Sequence, residues 1–169
     1  MKFFEANTVV FWDVTDFPIH TGRSYLETLT SVLGNNGYNG KLKITAYGEE
    51  KPDNLGDKYS RLCKMLLDIA VWGMDTSHLS FTPKNVMVLA ENIEEDTCFV
   101  HVSKNLLTSA NNCLWVLPDD YEDEKIKRVK LPWAKLYWKW QDLLAGKDPM
   151  SCEDVRALRL KAPSNSLVE

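Results

Sequence analysis

The 169-residue chain is poor in cysteine, histidine and glycine, and it carries no excess of basic residues. Its four cysteines, Cys63, Cys98, Cys113 and Cys152, form no CxxC pair and match no zinc spacing, which argues against a zinc module or a disulfide scaffold. Cys63, Cys98 and Cys113 stand in apolar segments and are expected to be buried free thiols. The three histidines, His20, His78 and His101, are scattered. No Ser-His-Asp or Cys-His arrangement marks a nucleophilic hydrolase. The glycines form neither GxGxxG nor GxxxxGK[ST], which excludes the usual phosphate-cradling loops. No apolar run approaches the ~20 residues that span a bilayer, so no membrane role is expected. The opening "MKFFEANTVVFW" places Glu5 and Asn7 inside any signal-like apolar core. A reducing intracellular compartment, cytoplasmic or nuclear, is expected. A net charge of −4 disfavours a dedicated duplex-DNA binder.

What is present is an alternation of apolar strands and amphipathic helices. "TVVFW" (8–12) is a β-branched and aromatic run. "RSYLETLTSVLGNNG" carries Leu26, Leu29, Val32 and Leu33 at helical spacing and ends on a Gly-Asn stop. "KLKITAYG" (41–48) alternates as a strand. Residues 58–74 form the strongest helical pattern, with Leu62, Met65, Leu66, Ile69, Ala70 and Met74 on one stripe. "NVMVLA" (85–90) and "CLWVLP" (113–118) read as buried strands, and 98–111 reads as a helix. "WAKLYWKWQDLLAGKDP" predicts an amphipathic closing helix whose aromatic face docks on the sheet. The β-α-β-α-β-α-β-α order predicts an α/β fold of three layers, with a small parallel sheet of four or five strands flanked by helices. One domain is expected over 5–149, followed by a polar tail over 150–169.

The acids are the informative feature. Asp13 stands where the most hydrophobic strand stops, and ligands of open parallel sheets bind at the carboxyl ends of strands. Asp16 lies one turn away. "ENIEED" (91–96) follows another strand at the same rim. Asp68 interrupts an apolar helix, and a carboxylate there needs a partner. Carboxylates that converge repel one another unless a cation intervenes, so the cluster is a candidate Mg²⁺ or Mn²⁺ site. Structural alternatives stand beside each assignment. Asp13 caps the turn after its strand, Asp16 makes an Asx turn before Phe17-Pro18, and Asp68 faces solvent or pairs with Lys64.

Five motifs carry a resemblance: "VFWDVTDFPI" (10–19), "KITAYGE" (43–49), "KMLLDIAVWGMD" (64–75), "NVMVLAENIEEDTCF" (85–99) and "WKWQDLLAGKDP" (138–149). Together they resemble the NYN domain family, a branch of the PIN-like ribonuclease superfamily, in its limkain-type form abundant in plants. The resemblance implies a metal-dependent endoribonuclease acting on single-stranded RNA, with Mg²⁺ or Mn²⁺ as cofactor, in RNA processing or turnover or the regulation of gene expression. It implies Asp13 and Asp68 as catalytic metal ligands, with Asp96, Glu95 and Asn92 completing the set.

The chain departs from that pattern in three places. Asn92 stands where similar domains carry the first acid after the third strand. Leu62 stands where the helix usually begins with an Asp. A helix and strand that usually follow the "AYG" strand are replaced by "EEKPDNLGDK". Replacing a carboxylate by an amide removes a full charge, and cation affinity of oxygen sites follows that charge. A catalytically degenerate pseudo-nuclease, kept as an RNA-binding or protein-interaction module, is the alternative.

RNA contacts are expected from Asp16 and His20 at the mouth and from Lys125, Lys127, Arg128 and Lys130. With Lys135 and Lys139 these lysines and the arginine crowd 15 residues. A solvated face is the structural alternative for that run. A homodimer or another protein partner is also open, with 113–118 or the closing helix as the surface.

Overall fold

The computed structural model describes residues 3–19, 22, 24–48, 57–77, 83–107, 111–121, 134–151, 153, 154 and 157. Thr8–Asp13 forms strand β1, and all its residues are buried. A strand with no solvated face belongs inside a parallel sheet covered on both sides. There β1 lies, between β2 (Leu42–Tyr47) and β3 (Lys84–Leu89), parallel to both. The sheet continues through β4 (Asn111–Leu117), β5 (Leu136–Lys139) and β6 (Met150–Ser151), in the order β2-β1-β3-β4-β5-β6.

Two sequence expectations are corrected here. The sheet has six strands rather than four or five, and it is mixed rather than wholly parallel, because β6 runs antiparallel to β5, with Leu136 opposite Ser151 and Tyr137 opposite Met150. A short connection suffices for an antiparallel return, whereas a parallel one needs a long crossover. The strand pairing thus reaches into the segment expected as a tail.

The expected closing helix is instead β5 followed by a five-residue helix, α4 (Trp140–Leu144). Tyr137 enters the core on one face of the sheet and Trp138 the core on the other. Neighbouring residues point to opposite faces in a strand. The hydrogen-bonding edge of β4 takes this segment as its parallel partner. Pairing and burial on two faces override a helical spacing that exists only in the local pattern. Trp133 lies outside the described residues.

Three layers result. Helices α2 (Lys58–Ser77) and α3 (Thr97–Leu106) cover one face, where Met65, Ile69 and Phe99 meet Phe11, Val88 and Trp115. Helix α1 (Tyr25–Asn35) and α4 cover the other, where Leu29, Leu33 and Leu143 meet Trp12, Met87 and Val116. The starts of α1, α2 and α3 each have a side-chain cap that fits the sequence, whereas α4 has none. Ser24 accepts from Glu27 N, Asp57 from Ser60 N and Asp96 from Phe99 N, which satisfies donors that a first turn leaves open. None of the described helices is long and apolar enough to cross a membrane.

The amino ends of the strands are tied by amides. The fully buried Asn85 donates from Nδ2 to the carbonyls of Phe3 and Ala6, and its Oδ1 accepts from Asn112. The N-terminal segment thereby lies against the loop before β2, where a Cβ on Gly40 would stand 2.1 Å from the Ala6 carbonyl oxygen. Gly34, inside α1, has no such neighbour within 4 Å. The two glycines should therefore respond oppositely to alanine. Gly34→Ala is expected to stabilise the protein by up to about 1 kcal/mol, because helical glycine costs that much in backbone entropy. Gly40→Ala is expected to lower the urea midpoint, because the clash is with backbone. Parallel denaturation curves of both variants check this.

Candidate functional site

The chain passes from β1 to β2 on one side and then to β3 on the other side of β1. The carboxyl ends of β1 and β3 therefore diverge into a crevice, the usual ligand position in open α/β sheets. Asp13 ends β1 at this point, and Glu91 lies just beyond β3.

Asp13 is buried, with 2% of its surface exposed. Its Oδ1 accepts from Thr15 N at 3.0 Å and Asp16 N at 3.4 Å, so it does cap the turn after the strand. The Asx-type turn assigned as an alternative to Asp16 is thus made by Asp13. Its Oδ2 accepts from Arg61 Nε on α2 at 2.8 Å, and Arg61 is itself only 6% exposed. Trp12 Nε1 donates to the Phe17 carbonyl at 3.0 Å, which pins the loop after β1 against the core.

Asp16 joins three elements. Its Oδ2 accepts from Lys58 Nζ, at the start of α2, at 3.0 Å and from Glu91 N, after β3, at 2.9 Å. The Glu91 carboxylate lies 3.9 Å from the same lysine. A cleft of about 310 Å³ opens here, lined by Asp16, Phe17, Pro18, Glu91, Pro118, Asp119, Asp120, Trp140 and Gln141. Asp119 is partly occupied, since its Oδ1 accepts from Gln141 N at 2.7 Å. Partial burial, with the charges of Asp16, Asp120 and Asp13, raises the Glu91 pKa despite the opposing charge of Lys58.

The two acids expected to share an ion are not brought together. Arg61 and Asp68 are seven residues apart on α2, so Asp68 lies roughly 10 Å along the helix axis from the Asp13 partner. Asp68 instead accepts from the Tyr47 hydroxyl at 2.8 Å. That bond, beneath the burial of the phenol and together with the Asp68 charge, raises the Tyr47 pKa. Asp96 is occupied as the α3 cap. Glu95 and Asn92 are exposed in the 91–95 turn, where Asn92 adopts φ +57°. His20, Lys125, Lys127, Arg128 and Lys130 lie outside the described residues.

Among the described residues, no three His, Cys, Asp or Glu side chains group so as to hold a metal ion. An Mg²⁺ or Mn²⁺ site needs several oxygen ligands free to converge. The residues present do not fit one, because the central carboxylate is held by a guanidinium and two backbone amides.

Arg61 and Lys58 are the residues that reasoning from sequence missed. A usable signal existed for Arg61: it lies one turn before Met65, on the buried side of the helix, and a charge there needs a partner. The thiols also need correction. Cys113 is buried, and burial pushes its thiol up to about 12, but Cys63 and Cys98 are exposed. The residues directly beside them in the chain, Leu62 and Phe99, are the ones that are buried.

Compared with protein families, curated proteins and solved structures, the chain matches none.

Removing one partner of a buried ion pair strands the other charge. Arg61→Met is therefore expected to cost about 3–5 kcal/mol at pH 7. Asp13→Asn in the same chain should restore much of that loss, a coupling that a double-mutant denaturation cycle measures.

Glu91 gives a pH signature. A carboxyl with a raised folded pKa binds more protons in the native than in the unfolded state, so its contribution to stability falls as pH rises from the unfolded value through the folded one. Glu91→Gln is expected to raise Tm at pH 7. The gain should shrink towards about pH 4, near the ordinary glutamate pKa. Thermal melts across that range check it.

Proposed function

We propose that this chain is a PIN-like domain of the NYN type whose acidic mouth is neutralised by its own cations, a non-hydrolytic relative retained as a binding module. The five sequence motifs support the family, and the strand-end position of Asp13 agrees with the place of the family's first metal ligand. The carrying observation is the 2.8 Å contact of Arg61 Nε with Asp13 Oδ2. The guanidinium supplies the positive charge that a metal ion would supply in an active relative. Lys58 does the same for Asp16.

Single-stranded RNA is the partner we assign to the basic run of Lys125, Lys127, Arg128 and Lys130, not to the mouth. Asp16, Glu91, Asp119 and Asp120 line the mouth, and carboxylates repel phosphate. Lysines and arginine gathered on one stretch attract it, with an affinity that falls steeply with salt.

A second reading is a Mg²⁺- or Mn²⁺-dependent endoribonuclease. It draws on the crowding of Asp16, Glu91 and Asp120, which raises the Glu91 pKa.

One experiment separates the two. Purified protein and its Asp13→Asn variant are incubated with single-stranded RNA and Mn²⁺, and binding is followed by fluorescence anisotropy. The expected result is no cleavage by either, with salt-sensitive binding that persists in EDTA. Mn²⁺ should shift Tm by less than about 1 °C, because a cation that does not bind the native state does not stabilise it. Cleavage by the wild type that Mn²⁺ supports and EDTA abolishes would overturn the proposal in favour of the nuclease.

A further inference from the structure

Helix α2 is apolar on both sides. Leu62, Met65 and Ile69 face the sheet. Met74, which its sequence spacing assigns to that same stripe, is 56% exposed. Seven large hydrophobic side chains are exposed among the described residues, and four of them lie on α2: Tyr59 at 70%, Leu67 at 62%, Val71 at 47% and Met74 at 56%. The exposed Cys63 completes the row. The spacing 59, 63, 67, 71, 74 is i+4, i+4, i+4, i+3, which keeps all five on one side of a helix. The outward face of a helix on a sheet is ordinarily polar. Here the centre of that face carries one formal charge, Lys64.

We infer that this face pairs with the same face of a second copy of the chain, α2 against α2′ and antiparallel about a two-fold axis at Leu67. The two-fold makes the patch its own partner. Leu67 meets Leu67′, and Tyr59 falls opposite Met74′, an aromatic–thioether contact. Charge agrees with this register. Lys64 makes no ion pair within its own chain among the described residues, although Asp68 stands one turn away. About the dyad at Leu67, Lys64 and Asp68′ come to the same flank within about two residues of axial rise, roughly 3 Å. The symmetric pair repeats the contact. Asp68 keeps one oxygen for it, since Tyr47 engages only Oδ2.

Size sets the strength of the pairing. From Tyr59 to Met74 the strip is about 22 Å long, and one helix presents about 10 Å of width. Two such strips form an interface at the small end of specific ones, below about 1,200 Å². A dimer in exchange with monomer follows, not an obligate one.

Sedimentation velocity of the full chain under reducing conditions, from about 2 to about 200 µM, spans the range where such an interface associates. The expected result is a rise of the weight-average sedimentation coefficient from the monomer towards the dimer value. Leu67→Glu should hold it at the monomer value throughout, with an unchanged circular dichroism spectrum, because the side chain is already exposed.

A second variant reads the register. In Ala70→Cys the new thiol lies seven residues from Cys63, about 10 Å along one helix, too far for an intrachain disulfide. It faces Cys63′ across the dyad. Oxidised glutathione should therefore convert this variant, and not the wild type, to a covalent dimer. Monomer at every concentration would overturn the inference and leave the strip to a different protein. So would association that Leu67→Glu leaves intact. Crosslinking of wild-type Cys63 to Cys63′ would overturn the antiparallel register.

Discussion

Asp13 and Arg61 form a buried ion pair at the point where the sheet reverses its direction of growth, and the arrangement around the mouth follows from it. A carboxylate that is 2% exposed cannot remain charged there without a partner. Two backbone amides and one guanidinium supply it. The pair also fixes α2, because Arg61 reaches Asp13 only when that helix begins beside the carboxyl end of β1. The same placement brings Lys58 to Asp16, and Asp16 in turn takes the backbone amide of Glu91. The loops after β1 and β3 and the first turn of α2 are thus joined by charge at one place. Buried pairs of this kind contribute little net stability over apolar residues of the same shape, yet they are costly to half-remove. Here the pair joins the first turn of α2 to the carboxyl end of β1.

The mouth that results is acidic and already neutralised in its deepest part. Asp13 is spent on Arg61 and Asp16 on Lys58, while Glu91 shares a lysine that stands closer to Asp16, at 3.9 Å against 3.0 Å. Among the described residues, the carboxylates of the mouth that have no cation partner sit further out, at Asp119 and Asp120. Asp68 belongs to a different place. Its bond to Tyr47 couples α2 to the outer strand β2, two helical turns from the ion pair. Two acids that the resemblance assigns to one ion thus serve as separate anchors for a single helix, one to β1 and one to β2.

Helix α2 bears these anchors on its inner side and an apolar strip on its outer side. Burial against Phe11, Val88 and Trp115 accounts for Met65 and Ile69, but nothing within the described chain covers Leu67. An interior helix is apolar all round because it is surrounded. Helix α2 lies in an outer layer instead, and it leaves Tyr59, Leu67, Val71 and Met74 exposed on its outward side.

Local pattern determined much of this protein. The alternating order of strands and helices, the double-sided burial of β1, β3 and β4, and the stop at Gly34-Asn35-Asn36 are all legible, because periodicity and turn chemistry act over a few residues. So is the position of Asp13 at the end of β1. What local pattern could not determine was which side chain arrives from elsewhere. The 61-to-13 pairing spans 48 residues, and only the packing of α2 against the sheet brings the guanidinium to the carboxylate. The same holds for β5, whose helical spacing yields to the open edge of β4. It holds again for Met74, which a stripe of apolar letters places in the core and the rotation of the helix turns outward. A sequence records which faces are apolar; which element comes to cover each face is settled by sheet order and helix rotation, and those exist only in three dimensions.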